Sequence, residues 1–410
     1  MNSTLRLLRS LAMPLLILAA VLFGATAAHA RGEWDTGGSA GTEARVFAEA
    51  PAWPGQEDGA QFSIILEGDF RWRSEDRRHH VVLVPWARID SLDGERTHAD
   101  LREGFYRYIG DGFTVETGVI KVFWGVAESR HLVDIVNQTD LVEDSDGEDK
   151  LGQPALRVTH QTGWGRLEGY ILPGFRERTF PGLDGRLRGP LPVDTDAPVY
   201  EHADEERHVD IAARWSHFLG DWDVGLAAFH GTSRAPAFRR TPDGQALQPY
   251  YAIISQLSAD VQLTRGAWLW KGEALVREGQ GHTFGAFTGG LEYTFYGITR
   301  SGADFGVLIE YHHDGRDSDP AIAPPTTFNN DVFLGGRFAM NDFNDTSLLG
   351  GAIVDTENGS IAGLIEAERR FGSHIFLEVE GRFTLDVDPQ DGLFAVRRDD
   401  ALTLRLTRHF

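Results

Sequence analysis

The sequence predicts an all-β chain, a transmembrane antiparallel up-and-down β-barrel of about 18 strands, with about 16 as the alternative count. Three observations point there. Alternating apolar and polar side chains run almost end to end from residue 43; the connections between these runs are short and long by turns; and no stretch after residue 30 is apolar enough for a spanning helix. The alternating segments fall at 43–50, 61–73, 79–90, 98–109, 113–123, 154–161, 165–173, 207–217, 221–230, 249–264, 267–277, 283–296, 302–313, 329–340, 345–355, 359–371, 373–384 and 400–410.

Every second connection is tight, as at 110–112, 162–165, 219–221, 265–266, 341–345 and 371–373. The intervening ones, notably 124–153, 174–206, 231–248 and 314–328, are longer and polar. Short turns at one end and long loops at the other suit a closed spanning barrel, whereas a soluble sandwich has no reason to keep that rhythm. The Gly-rich, polar stretch 31–42 reads as a flexible lead-in, and 43–410 as one barrel.

Successive strand residues point to opposite faces, so each segment separates into two rows. Phe62, Ile64, Leu66, Phe70 and Trp72 oppose Glu67, Asp69, Arg71 and Arg73. Ile361, Gly363, Ile365, Ala367 and Phe371 oppose Leu364, Glu366, Glu368 and Arg370, and Ile375, Leu377, Val379 and Phe383 oppose Glu378, Glu380 and Arg382. The apolar rows should meet lipid. The charged rows, with Arg214, Arg337 and Arg405, should line an enclosed lumen too polar to pack dry, and barrels of this strand number leave an aqueous channel. Trp86, Trp164, Trp215, Trp222, Trp268, Trp270, Tyr293, Phe295 and Tyr296 fall near segment ends, where interfacial aromatic girdles sit.

Residues 1–30 have the three parts of a secretory signal: Arg6 and Arg9, an apolar run from Leu11 to Phe23, and small residues closing on Ala28-His29-Ala30, with cleavage expected after Ala30. Removing Arg6 and Arg9 takes the charge from 39 − 61 = −22 to 37 − 61 = −24. A chain this acidic is a poor nucleic-acid binder. Cysteine is absent, which excludes disulfides, metal thiolates and thiol catalysis.

In the final segment Leu402, Leu404, Leu406 and Phe410 share one face, and Thr403, Arg405, Thr407 and His409 the other. This resembles the closing strand of a Gram-negative outer-membrane β-barrel, a family in which a terminal Phe is the feature the assembly machinery reads. The resemblance implies residence in the cell outer membrane, with membrane lipid, lipopolysaccharide and that machinery as partners.

The most distinctive connection follows Phe123-Trp124-Gly125. It carries Glu128, Arg130, His131, Asp134, Asn137 and Asp140, with an apolar run Leu132-Val133-Asp134-Ile135-Val136 unsuited to a loop in water. Phe-Trp-Gly, an acidic residue and then Asp-Ile-Val-Asn is similar to a pattern in uncharacterised, porin-like proteobacterial outer-membrane proteins. As the third outer loop, the segment is expected to fold inward and narrow the pore. The acidic run 143–149 that follows reads as a solvated loop, with a loosely held divalent cation as the sharper alternative. Asp144, Asp146 and Gly147 start like a calcium loop, but position 155, where the bidentate Glu should stand, is Ala.

No metal site or cofactor is expected. His79-His80 and His312-His313 alternate faces, so at most one of each pair reaches the lumen. Ser129, His160, His217, His230 and many acids are present without a G-x-S-x-G motif, so enzymatic activity is not expected. The resulting expectation is a passive outer-membrane channel for small polar or charged solutes, weakly cation-preferring at low ionic strength, with that preference fading or inverting as salt rises. The alternative is a closed barrel serving binding, export or structure, or less readily an outer-membrane hydrolase. The solute and the oligomeric state are not legible in one sequence.

Overall fold

The computed structural model describes residues 32–410; the expected signal, 1–30, lies outside the described residues. Eighteen strands form one sheet. They are β1 Gly32–Phe47, β2 Gln61–Ser74, β3 His79–Asp90, β4 His98–Ile109, β5 Phe113–Ile120, β6 Gln153–Thr162, β7 Gly165–Pro173, β8 Val209–Leu219 and β9 Trp222–Thr232. The ring continues through β10 Ile253–Arg265, β11 Trp268–Glu278, β12 Phe284–Phe295, β13 Asp304–Asp314, β14 Asn330–Ala339, β15 Ser347–Asp355, β16 Ile361–Phe371, β17 Ile375–Asp386 and β18 Ala401–His409. Each strand pairs antiparallel with the next, and β18 returns to β1 with Ser39 opposite His409 and Phe47 opposite Ala401. Closure leaves no free sheet edge. A small three-stranded sheet of Val199–Tyr200, Leu247–Tyr251 and Ala237–Arg240 lies in the long loops.

The strand set matches the alternation in the sequence, with one substantial departure. Residues 32–42 are not a flexible lead-in: β1 starts at Gly32 and pairs with β2 from Gly32 opposite Ser74 to Arg45 opposite Gln61. The glycines that read as flexibility permit the closure. A Cβ on Gly38 would lie 2.6 Å from the Glu67 carbonyl and 3.2 Å from the Phe410 ring. With hydrogen there instead, Gly38 N donates to the Phe410 carbonyl (3.1 Å), and Phe410 N donates to the Gly38 carbonyl (3.0 Å).

Phe62, Ile64 and Leu66 on β2, Ile211 on β8, Val307 and Ile309 on β13, and Leu402, Leu404 and Leu406 on β18 are exposed, with Leu257 on β10 at 67%. A belt of this extent needs an apolar solvent, and the barrel spans a membrane. Around the end with short turns, Trp268 stacks on Trp270 (5.7 Å) and meets Tyr293 edge-on (4.6 Å). Trp86 does not join this girdle. It points inward, buried, with the Arg102 guanidinium 4.2 Å from its ring, because the parity of β3 puts it on the face of Val82, Val84 and Arg88.

Deleting Phe410 removes both bonds to Gly38, and the heat-modifiable barrel fraction in the membrane should collapse while export continues; unchanged assembly would contradict the closure argument. Depth also sorts the belt. Ile365, near the middle of β16, should cost about 2–4 kcal/mol as Arg, whereas Leu377, placed mid-segment by the sequence pattern but third in β17, should cost about 0–1 kcal/mol. Denaturant titration of both variants in vesicles checks the difference.

Candidate functional site

Residues 121–152 leave β5, cross the lumen and return to β6. Val133 and Val136 have 0% exposure, and with Ile135 they pack among Trp124, Tyr170, Leu172, Phe229 and Ile254. Burying a loop obliges its backbone N–H groups to find acceptors, and the wall supplies two carboxylates. Glu273 on β11 accepts from Val126 N (2.6 Å), Ala127 N (2.9 Å) and Val133 N (3.1 Å). Glu310 on β13 accepts from Glu128 N (2.7 Å), Ser129 N (2.9 Å) and Ser129 Oγ (2.6 Å). At the neck, Asn137 accepts from Val122 N (2.9 Å) and donates to the Ile120 and Leu151 carbonyls.

Most of the remaining charged loop residues are paired. Arg130 binds Asp314, Asp134 takes Lys150 (3.3 Å), Asp140 takes Arg102 (2.5 Å), and Glu128 holds both Lys271 (3.1 Å) and Arg337 (2.6 Å). The acidic run is solvated in its second half, where Asp146 and Glu148 are exposed, but not in its first. Glu143 and Asp144 are buried, Glu143 against Arg88 (2.6 Å) and His98 (2.8 Å), Asp144 against Arg45 (3.3 Å) and Arg382 (3.4 Å). Burial alone would raise the Glu143 carboxyl, but His98, Arg88 and Arg96 together lower it to about 2. His98, Asp140 and Glu143 also bring three ligand atoms within 4.8 Å of one another. Both carboxylates already hold guanidinium groups, so the cluster reads as part of the ion-pair network.

These contacts fasten the loop to β1, β3, β4, β11, β13, β14 and β17, and apolar packing seats it toward β7–β10 and β12. Among the described residues, β15 and β16 make no hydrogen bond or ion pair with it. Across that gap, cross-strand register sets Arg337 beside Leu349, Leu349 beside Glu366, and Glu366 beside Glu380, with Gly335 opposite Gly351 in a neighbouring row. On the loop side stand Glu128, Asp146 and Glu148. The side chains of Arg337 (40% exposed), Arg382 (27%) and Glu128 (20%) remain reachable by water, and Arg382 ties Asp146 (2.8 Å) and Glu380 to the wall. Glu366 lies within electrostatic range of Arg382, Glu380, Glu148 and Glu128.

The other residues expected in the lumen divide into two groups. Arg214 pairs with Asp260 (2.6 Å) below Trp124, and Arg405 with Glu43 (2.8 Å), both in the network around the loop. Toward the turns, Arg71 meets Asp69 (2.8 Å), Arg73 meets Glu33 of β1 (2.6 Å), and Glu368 accepts from Ser347 (2.9 Å), while Glu67 and Glu378 lie on the same inner rows. The sequence reading passed over Glu310, Glu43, Arg88, Arg96 and Arg102. The inward parity of Glu310, Glu43, Arg88 and Arg102 was readable, whereas Arg96 lies in the loop after β3, and the loop partners of all five come from elsewhere in the chain.

Ser129 Oγ also lies 2.9 Å from His312 Nε2, and His312 Nδ1 lies 3.1 Å from Thr288 Oγ1. In a nucleophilic triad the acid orients the histidine; here the carboxylate of Glu310 accepts from the serine instead. His313 points outward to Asn330 (2.9 Å), as strand alternation requires.

No family model and no curated protein matches the chain. Among solved structures, Wzi of Escherichia coli, described as an outer-membrane protein involved in group 1 capsule assembly and a carbohydrate-binding β-barrel, is similar with a TM-score of 0.52. It is 8% identical, over 90% of this chain and 83% of Wzi. A variant of the Rh. blastica porin (TM-score 0.46, 10% identity, 92% of this chain and all of that one) and the Vibrio cholerae outer-membrane protein OmpT in trimer form (0.46, 9%, 93% and all) are more distant in structure. The likeness to Wzi is one of fold: a closed barrel of the outer-membrane type.

Two predictions follow from the loop's fastening. Glu273→Ala leaves three buried N–H groups without their acceptor, so residues 126–133 should lose about 1–3 kcal/mol of local stability, read as faster hydrogen exchange there while the strands stay protected. The second concerns His131 and Glu148, 3.3 Å apart. Burial opposes a charged His131, but the Glu148 bond and charge outweigh it and raise its pKa; His131 in turn lowers that of Glu148. A raised imidazole stabilises the folded loop at low pH and ceases to as pH rises through its titration, while a lowered carboxylate stabilises above the ordinary carboxylate range and ceases to as pH falls. Protease cleavage within 145–150 should therefore be slowest near about pH 5.5 and faster near about pH 8.5.

Proposed function

We propose that this chain is an outer-membrane channel for passive diffusion of small polar or charged solutes, which pass between the Glu128–Glu148 edge of the third loop and the β14–β17 wall. The observation carrying this reading is the one-sided fastening: hydrogen bonds and ion pairs tie the loop to β1, β3, β4, β11, β13, β14 and β17 and apolar packing seats it toward β7–β10 and β12, whereas, among the described residues, β15 and β16 make neither contact, and the flanking Arg337 and Arg382 reach water. Diffusion needs no conformational step. Selectivity comes from fixed charges within about one Debye length of the path, about 8 Å at physiological salt. Glu128, Asp146, Glu148, Glu366 and Glu380 outnumber Lys271, Arg337 and Arg382 there, which favours cations. Because these acids sit at the aperture, salt should weaken the preference without inverting it. No catalytic role is assigned, since Glu310 occupies the serine and leaves His312 without an acid.

A second reading, a closed barrel that binds saccharide as Wzi is described to do, draws on the loops and small sheet filling the loop end and on the shared fold. Single-channel recording in planar bilayers separates the two. The channel reading expects ohmic conductance, a larger step after removal of 126–140, and a cation preference reduced by Glu148→Gln; absence of conductance in both wild type and deletion would support the closed barrel. Removal of 141–150 is a poor test of selectivity, because it would leave Arg45, Arg88 and Arg382 short of their partners.

A further inference from the structure

At the loop end, on the β11–β13 side and away from the aperture, four guanidinium groups converge with too little negative charge among them. Arg316 grips Asp314 through Nε (2.8 Å) and Nη2 (2.7 Å), and Arg130 binds the same Asp314 Oδ2. Arg277 and Arg316 both lie near the buried Phe284 ring, at 5.7 to 5.9 Å from its centre. Arg277 has no carboxylate: its Nε (2.9 Å) and Nη2 (2.5 Å) donate to Gln256 Oε1. Arg178, in the connection after β7, donates through Nε to Gln138 Oε1 (3.4 Å) and feels the charge of Arg316. Among the described residues, Asp314 is the one carboxylate in ion-pair contact with any of the four; Asp331, the next acid toward Arg130, makes no ion pair with it.

Two donors in this cluster are buried and unused, Arg130 Nη1 and Gln256 Nε2. The Arg130 side chain is 10% exposed and Gln256 2%. Elsewhere in this barrel, buried arginines are partnered: Arg88 and Arg96 share Glu43, Arg102 has Asp140, Arg186 has Asp399, and Arg188, without an acid, donates to the Leu183, Gly189 and Pro54 carbonyls. Guanidinium groups concentrated out of water require an anion, and their planar fork of donors matches carboxylate and phosphate oxygens. Burial without a carboxylate brings the Arg178 guanidinium down to about 10. We propose that Arg130, Arg178, Arg277 and Arg316 form a binding site for a small anion bearing a carboxylate or phosphate group. The anion would enter from the loop end and accept from the free Nη1 of Arg130 and the amide of Gln256. The site does not depend on the channel reading, since a closed barrel could hold it equally.

The test uses the refolded full barrel in detergent, with inorganic phosphate and galacturonate as separate probes and chloride as the ionic-strength control. Equilibrium dialysis should show saturable binding of at least one probe, weakened at least tenfold in Arg277→Gln and partly retained in Arg277→Lys. Thermal unfolding gives a readout that a structural role would not produce. Without probe, Arg277→Gln should unfold at the same or a higher temperature, because it relieves like-charge repulsion; with probe, the upward shift of the wild type should be lost. If Arg277→Gln fails the heat-modifiability check for a folded barrel, Arg178→Gln takes its place. Binding of phosphate alone or galacturonate alone identifies the group recognised. Absence of binding by either probe, or unchanged binding in the folded variant, overturns the proposal.

Discussion

The interior of this barrel is organised by the demand of a buried loop for hydrogen-bond acceptors. A segment crossing a lumen exposes backbone N–H groups that no neighbouring strand can take, and leaving them unpaired costs more than any single apolar contact returns. Glu273 and Glu310 meet that demand with paired oxygens, each spanning consecutive residues of the loop. The loop's path is thereby fixed on the β11–β13 side, and from it follow the reach of Glu128 to Lys271 and Arg337 and the packing of Val133 and Val136 among the inward residues of β7 to β10.

On the opposite side the same loop is held by charge. Glu143 and Asp144 bring four arginines, on β1, β3, β17 and the short loop after β3, into one buried network with Glu43. Removing one partner from such a network leaves an uncompensated buried charge, so its members stand or fall together. Both fastenings are polar, and they differ in kind. Carboxylate to backbone specifies where the chain runs, whereas carboxylate to guanidinium specifies which walls it joins.

Much of this fold was legible because strand alternation and turn rhythm are local properties. The segment 98–109 was read to the residue, and the long loops were all placed at one end. Errors arose where composition stood in for context. Residues 32–42 look flexible until β18 is laid beside them, and only then do Gly38 and its neighbours become the condition for closure. Glu143 and Asp144, at the start of the acidic run, look solvated until Arg45, Arg88 and Arg382, distant in sequence, are brought to them. Trp86 lies near a strand end, which suggested a membrane girdle, but its parity with Arg88 assigns it to the interior. Of the loop residues expected to form a constriction, Glu128 reaches Arg337 on the wall and His131 bonds Glu148, while Asn137 and Asp140 secure the neck. Roles that depend on a partner far along the chain carry no local signature.

The charge pattern that results is not uniform. The acids along the edge of the third loop facing β14–β17 and the guanidinium groups gathered near β11–β13 are opposite excesses separated by that loop, which contributes to both: Glu128 to one, Arg130 two residues later to the other. A single net charge for the protein therefore says little about what any part of the lumen attracts. The third loop is the element that keeps those two regions apart, and its backbone bonds to Glu273 and Glu310 fix the boundary between them.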